Sequence, residues 1–113
     1  MLQINVDPIS NREEWTDNCE VRDQNNVLVD LSSASIVLAV QDRQTKVHVL
    51  LASTDDGNIT IPGTGVFRWT FTETEMRGVD ASRAYEIGCT LALNGTIHQL
   101  FIGTVNVLDG IVP

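Results

Sequence analysis

The side chains in this sequence that could do chemistry are few and widely spaced. His48 and His98 lie 50 residues apart, with no cysteine or carboxylate at metal-ligand spacing. Both read as partly exposed strand residues, and no metal is expected. Asp55-Asp56-Gly57-Asn58 offers the hard oxygens calcium takes, but it lacks the alternating ligands and the distant bidentate Glu of a calcium loop and reads as a turn. Glu73 and Glu75 are one residue apart in a segment with helical signals, so they point to different sides and cannot work as a general-acid and nucleophile pair. No Ser sits in a Gly-x-Ser-x-Gly elbow, and neither Cys19 nor Cys89 has a local signature with a His. Gly63-Thr64-Gly65 is too short for a phosphate loop and leads into a strand instead of a helix. The expectation is therefore a protein that is not an enzyme, with no cofactor.

The aromatic residues are the remaining candidates. Trp69 shares an alternating pattern with Phe67 and Phe71 and reads as core. Trp15, set among Glu13, Glu14 and Asp17, reads either as a core edge or as the anchor of an interface whose rim those acids would form. Exposed rings could instead stack on sugars, which makes a carbohydrate-binding module the alternative function.

Positioning these groups requires one domain, 1–113, with residues 1–10 expected as an N-terminal arm. Apolar residues make up 42% of the chain and charged ones 19%, which is too much to bury for a disordered tail, and no apolar run is long enough to span a membrane. The chain holds 15 acids against 7 Lys and Arg, giving a net charge of −8. That balance repels phosphate backbones and argues against nucleic acid as a partner. Seven of the acids fall in residues 1–34, where they serve either solubility and protection of a strand edge or an acidic docking surface. The first eight residues lack the basic start and apolar stretch of a secretory signal, so synthesis in a cytoplasm is expected. In that reducing setting Cys19 and Cys89 read as free, structural thiols.

Period-two alternation dominates the second half. Phe67, Trp69 and Phe71 point one way, and Tyr85, Ile87, Cys89, Leu91 and Leu93 repeat the pattern. Asn94-Gly95 between apolar runs predicts a type I′ hairpin into a strand over 96–107, with either a bulge near Gly103 or burial on both faces where Leu100, Phe101 and Ile102 run together. Residues 35–42 and 46–53 predict a second hairpin, 59–61 a short strand ended by Pro62-Gly63, and 15–23 a strand with a short partner over 27–31. Thr72 with Glu75 forms a capping box, predicting one short helix near residues 73–79 with Gly78 as its C-cap. The fold class is thus all-β, an antiparallel two-sheet immunoglobulin-like sandwich of about seven or eight strands.

The order of these elements resembles a family of small β-sandwich proteins encoded among the structural genes of tailed bacteriophages and prophages. The resemblance spans residues 9–112. It is carried by Asn11-Arg12-Glu13-Glu14-Trp15, Val29-Asp30-Leu31-Ser32, Val40-Gln41-Asp42, Gly65-Val66-Phe67 with Trp69 and Phe71, and Glu73 to Arg77 before Tyr85-Glu86-Ile87-Gly88. Asn94-Gly95 and the closing run from Gly103 to Gly110 complete it. The cadence is also similar to the immunoglobulin-like N-terminal domains of phage baseplate upper proteins. The resemblance implies a virion component made in the host bacterial cytoplasm, present in multiple copies and bound to capsid, neck or tail and baseplate proteins. It supplies no active site, and the receptor-binding and coiled-coil segments of larger members have no counterpart in this sequence.

Overall fold

A computed structural model describes residues 2–5, 9–10, 13–81 and 83–108. The elements in chain order are β1 (Leu2–Asn5), β2 (Ile9–Ser10), β3 (Trp15–Glu20), β4 (Ser35–Asp42), β5 (His48–Ser53), β6 (Ile59–Gly63), β7 (Val66–Phe71), α1 (Glu73–Arg77), β8 (Tyr85–Leu93), β9 (Thr96–Val105) and β10 (Val107–Leu108). One sheet runs β1-β9-β8-β4-β5 and the other β3-β7-β6, with β10 and β2 pairing separately. The antiparallel strands β3 to β9 make the two layers of an immunoglobulin-like sandwich, and α1 lies in the crossover from β7 to β8.

The core lies between the layers because alternate residues of each strand face inward. Ile36, Leu38 and Val40 of β4 and Ile87, Cys89 and Leu91 of β8 are buried from one side, while Phe67, Trp69 and Phe71 of β7 are buried from the other. Trp15 joins them, meeting Trp69 edge to face at 5.8 Å and Phe71 at 5.6 Å. Fully burying each such side chain contributes roughly 1.5–3 kcal/mol. A one-residue slip would turn a whole set into solvent, so this burial also fixes register.

Turn chemistry agrees with the layers. Asn94 and Gly95 have φ of 53° and 81°, as a two-residue type I′ hairpin demands. Gly65 has φ of 72°, and a side chain there would strike Leu28 at 2.7 Å, so the β6–β7 turn depends on glycine twice over. Thr72 and Glu75 form the expected reciprocal capping box. Tyr85 Oη donates to the Asp80 carbonyl, a tyrosine corner that ties the helical crossover to the start of β8.

Several elements differ from expectation. Residues 27–31 form no strand; Leu28 makes an isolated bridge to Arg22, and Asp23 Oδ1 draws the Asn25 and Val27 amides into a turn. The strand expected over 15–23, β3, ends at Glu20, and β5 begins at His48 because Lys46 adopts a positive φ of 62°. The strand expected over 96–107 ends at Val105, and β10 pairs with β2. Its bulge lies at Leu100, where the register against Cys89 and Thr90 shifts, not at Gly103. Gln99 Nε2 donates to the Cys89 and Phe101 carbonyls there, satisfying acceptors the bulge disturbs. Pro62 lies within β6, on a sheet edge where no amide is needed. Of the expected N-terminal arm, residues 2–5 add a parallel strand beside β9 and residues 9–10 pair with β10. Asn11, Arg12, Asp109 and Gly110 of the resemblance lie outside the described residues.

The turn at 55–58 does more than reverse the chain. The carbonyl of Asn58 accepts from Thr70 in the smaller sheet, while its side chain accepts from the Ser53 amide at 2.9 Å and donates to the Leu51 carbonyl at 3.2 Å. Those β5 groups point away from β4, so one turn residue caps the edge of the larger sheet with its side chain while its carbonyl bonds the smaller one. Asn58→Ala should cost about 1–3 kcal/mol and lower the thermal midpoint by roughly 4–12 °C, with Asn58→Asp intermediate because it keeps the acceptor. Calorimetry on the three proteins checks this, and an unchanged midpoint would show the cap to be idle.

Candidate functional site

Among the described residues the smaller sheet has two edge strands, β3 and β6, and β3 carries the expected interface residues Trp15 and Asp17. Trp15, Asp17 and Cys19 oppose Phe71, Trp69 and Phe67 in register, so these three belong to the inward-facing set. Trp15 is 6% exposed and Cys19 half-buried, whereas Asp17 stands exposed at the rim. An inward-set carboxylate on an edge strand discourages another strand from adding there. Glu13 and Glu14 precede it in the open, with Glu14 accepting from Thr16 Oγ1 at 3.1 Å. On the outer side Asn18 accepts from Arg68 at 2.9 Å, and Glu20 pairs with Arg22 at 2.6 Å.

Of the expected interface residues, Glu13, Glu14 and Asp17 are each exposed, whereas Trp15 is buried. A partner reaching this edge meets carboxylates. The indole shapes the strand from within, as the core-edge reading of Trp15 requires.

Other side chains singled out in the sequence are occupied by the fold. Asp42, 5% exposed, accepts from the Gln44 amide at 2.8 Å and the Thr45 amide at 3.0 Å, and Arg83 Nε donates to its other oxygen. The Thr45 amide first, then Arg83, hold its carboxyl down at about 2. Glu73 pairs with Arg77 one helical turn on, and Glu75 closes the capping box. Glu86 accepts from Lys46 Nζ at 2.6 Å and Gln41 at 3.1 Å, and Lys46 foremost lowers its pKa. His48 and His98 are exposed on β5 and β9, strands separated by β4 and β8. Among the described residues no three metal-ligating side chains gather.

Both thiols are free. Burial, with Asp17 and Glu20 nearby, pushes Cys19 up, and burial pushes Cys89 up to about 12, so neither is primed as a nucleophile. All six aromatic side chains, Trp15, Phe67, Trp69, Phe71, Tyr85 and Phe101, are buried. That leaves no ring on which a sugar could stack, so the alternative of a carbohydrate module built on exposed aromatics loses its chemical basis.

Sequence reasoning missed a second surface. The outward face of the larger sheet carries a cross-strand row in the order Leu51, Ala39, Gly88, Ile102. Ala39, Gly88 and Ile102 of that row line a trough of about 580 Å³, with Gln41, Glu86 and Lys46 along it. Its signal was present as the alternate positions between the buried ones, but only pairing register lines those positions up.

Asp42 also sets an acid limit. Because its folded pKa is depressed, its contribution to stability is complete above about pH 4 and is lost as pH falls through about 2. Asp42→Asn should be less stable near neutrality, with a flatter decline between those limits; urea midpoints across the range test this, and parallel profiles for the two proteins would contradict it. No protein-family model matches the chain, and no curated protein matches it in sequence.

Proposed function

We propose that this chain is a non-enzymatic structural accessory protein of a tailed-phage virion, docking on capsid, neck or tail and baseplate proteins through a sheet edge and its adjoining loops. One observation carries the docking element: Glu13, Glu14 and Asp17 are exposed on and just before the edge strand β3, whose Trp15 is buried in the core. A rigid acidic edge of this kind complements a basic surface and steers encounter with it. The reading is further supported by the internal pairing of Asp42, Glu73 and Glu86, which commits those carboxylates to holding turns and strands in place. The resemblance to phage structural proteins supplies the setting.

Co-purification with intact particles at fixed stoichiometry is the direct test, and absence from purified virions ends the proposal. Within it, Glu13→Lys, Glu14→Lys and Asp17→Lys combined should abolish particle binding with the fold intact. Trp15→Ala should instead cost about 3–5 kcal/mol of stability, read by denaturant unfolding. Binding by the triple variant at the wild-type level would place the contact elsewhere.

A further inference from the structure

We propose that Cys19 and Cys89 are the two halves of a latent bridge across the sandwich, closed by a disulfide oxidant. Both thiols are free, and both side chains belong to the inward-facing sets. Cys19 on β3 opposes Phe67 on β7, while Cys89 on β8 stands between Leu38 and Phe101. Cys89 is buried within the core cluster, and Cys19, half-buried, packs against that cluster from the edge.

Topology sets one thiol over the other. Asn58 ties the β6 side of the smaller sheet to β5, the edge of the larger one. The order β3-β7-β6 then carries β3 away from β5, over the half of the larger sheet that holds β8 and β9. Trp69, on the middle strand, reaches Phe101 of β9 with ring centres 6.3 Å apart. Cys89 is the direct cross-strand neighbour of Phe101, and Cys19 is that of Phe67, whose ring lies 6.1 Å from Trp69. Burial first, and then the nearby Cys19, raise the pKa of Cys89. A bridge needs Cα atoms about 4.4–6.8 Å apart, closer than the roughly 10 Å between packed sheets, so closure draws one strand inward. The strand free to move is β3, hydrogen-bonded on one side only, with Cys19 next to its end.

The chemistry balances with oxidised glutathione as the oxidant. The Cys19 thiolate attacks one of its sulfurs and one glutathione thiolate leaves; the Cys89 thiolate then attacks the Cys19 sulfur of the mixed disulfide and expels the second. Two protein thiols become one disulfide, their two protons pass to the departing thiolates, and one oxidised glutathione is reduced to two thiols. Burial keeps both cysteines protonated, so closure is slow. The bridge closes a loop of about 70 residues, which removes much of the freedom of the unfolded chain. The proposal stands apart from the virion reading, since it is measured on the isolated chain.

Incubating the folded full chain with excess oxidised glutathione tests it. The intact mass should fall by two hydrogens, and a protease digest should yield a peptide pair joining Cys19 to Cys89 that separates on reduction. The thermal midpoint should rise by roughly 10 °C or more and return when dithiothreitol is added. Cys19→Ser, at the half-buried position, should fold and show no rise. Two thiols that stay reduced, glutathione held on Cys19 with Cys89 still reduced, disulfide-linked dimers, or a bridge that leaves the midpoint where it was would each overturn the proposal.

Discussion

Trp69 reaches Phe101 across the gap between the sheets, ring centres 6.3 Å apart, and every other feature of this chain depends on keeping those two layers face to face. Each sheet alone has one apolar side it cannot leave in water. Sealing them buries six aromatic rings and the aliphatic residues of β4, β5 and β8 in one cluster. Because side chains alternate at every residue, that single act of burial selects register, strand order and which positions are left to face solvent.

A sandwich that is closed on its faces is open at its edges, and much of the polar chemistry answers that problem. Asn58 caps β5 with its amide, Pro62 withholds a donor from β6, and Asp17 places a charge on the inward set of β3. Asp42 performs the analogous task at the end of the sandwich. It binds the amides of its own turn and Arg83 from the crossover, so that the β4–β5 hairpin and the start of β8 are held by one carboxylate. Groups that looked like chemistry in isolation are therefore structural once their partners are known.

The fold was legible where a local rule and the global pattern agreed. Phe67-x-Trp69-x-Phe71, the five alternating residues of β8, Asn94-Gly95 and the Thr72–Glu75 box each specify their element from a few neighbouring residues. The parts that were not legible depend on residues far apart in sequence. Nothing local distinguishes Gly103 from Leu100 as the bulge, because the choice is made by Cys89 and Thr90 on the facing strand. Residues 27–31 have a strand-like composition, yet Asp23 captures the Asn25 and Val27 amides and leaves only Leu28 bridged. Trp15 was ambiguous because its acidic neighbours surround it in sequence but not in space: the pairing of β3 with β7 turns the indole in and leaves the carboxylates at the rim.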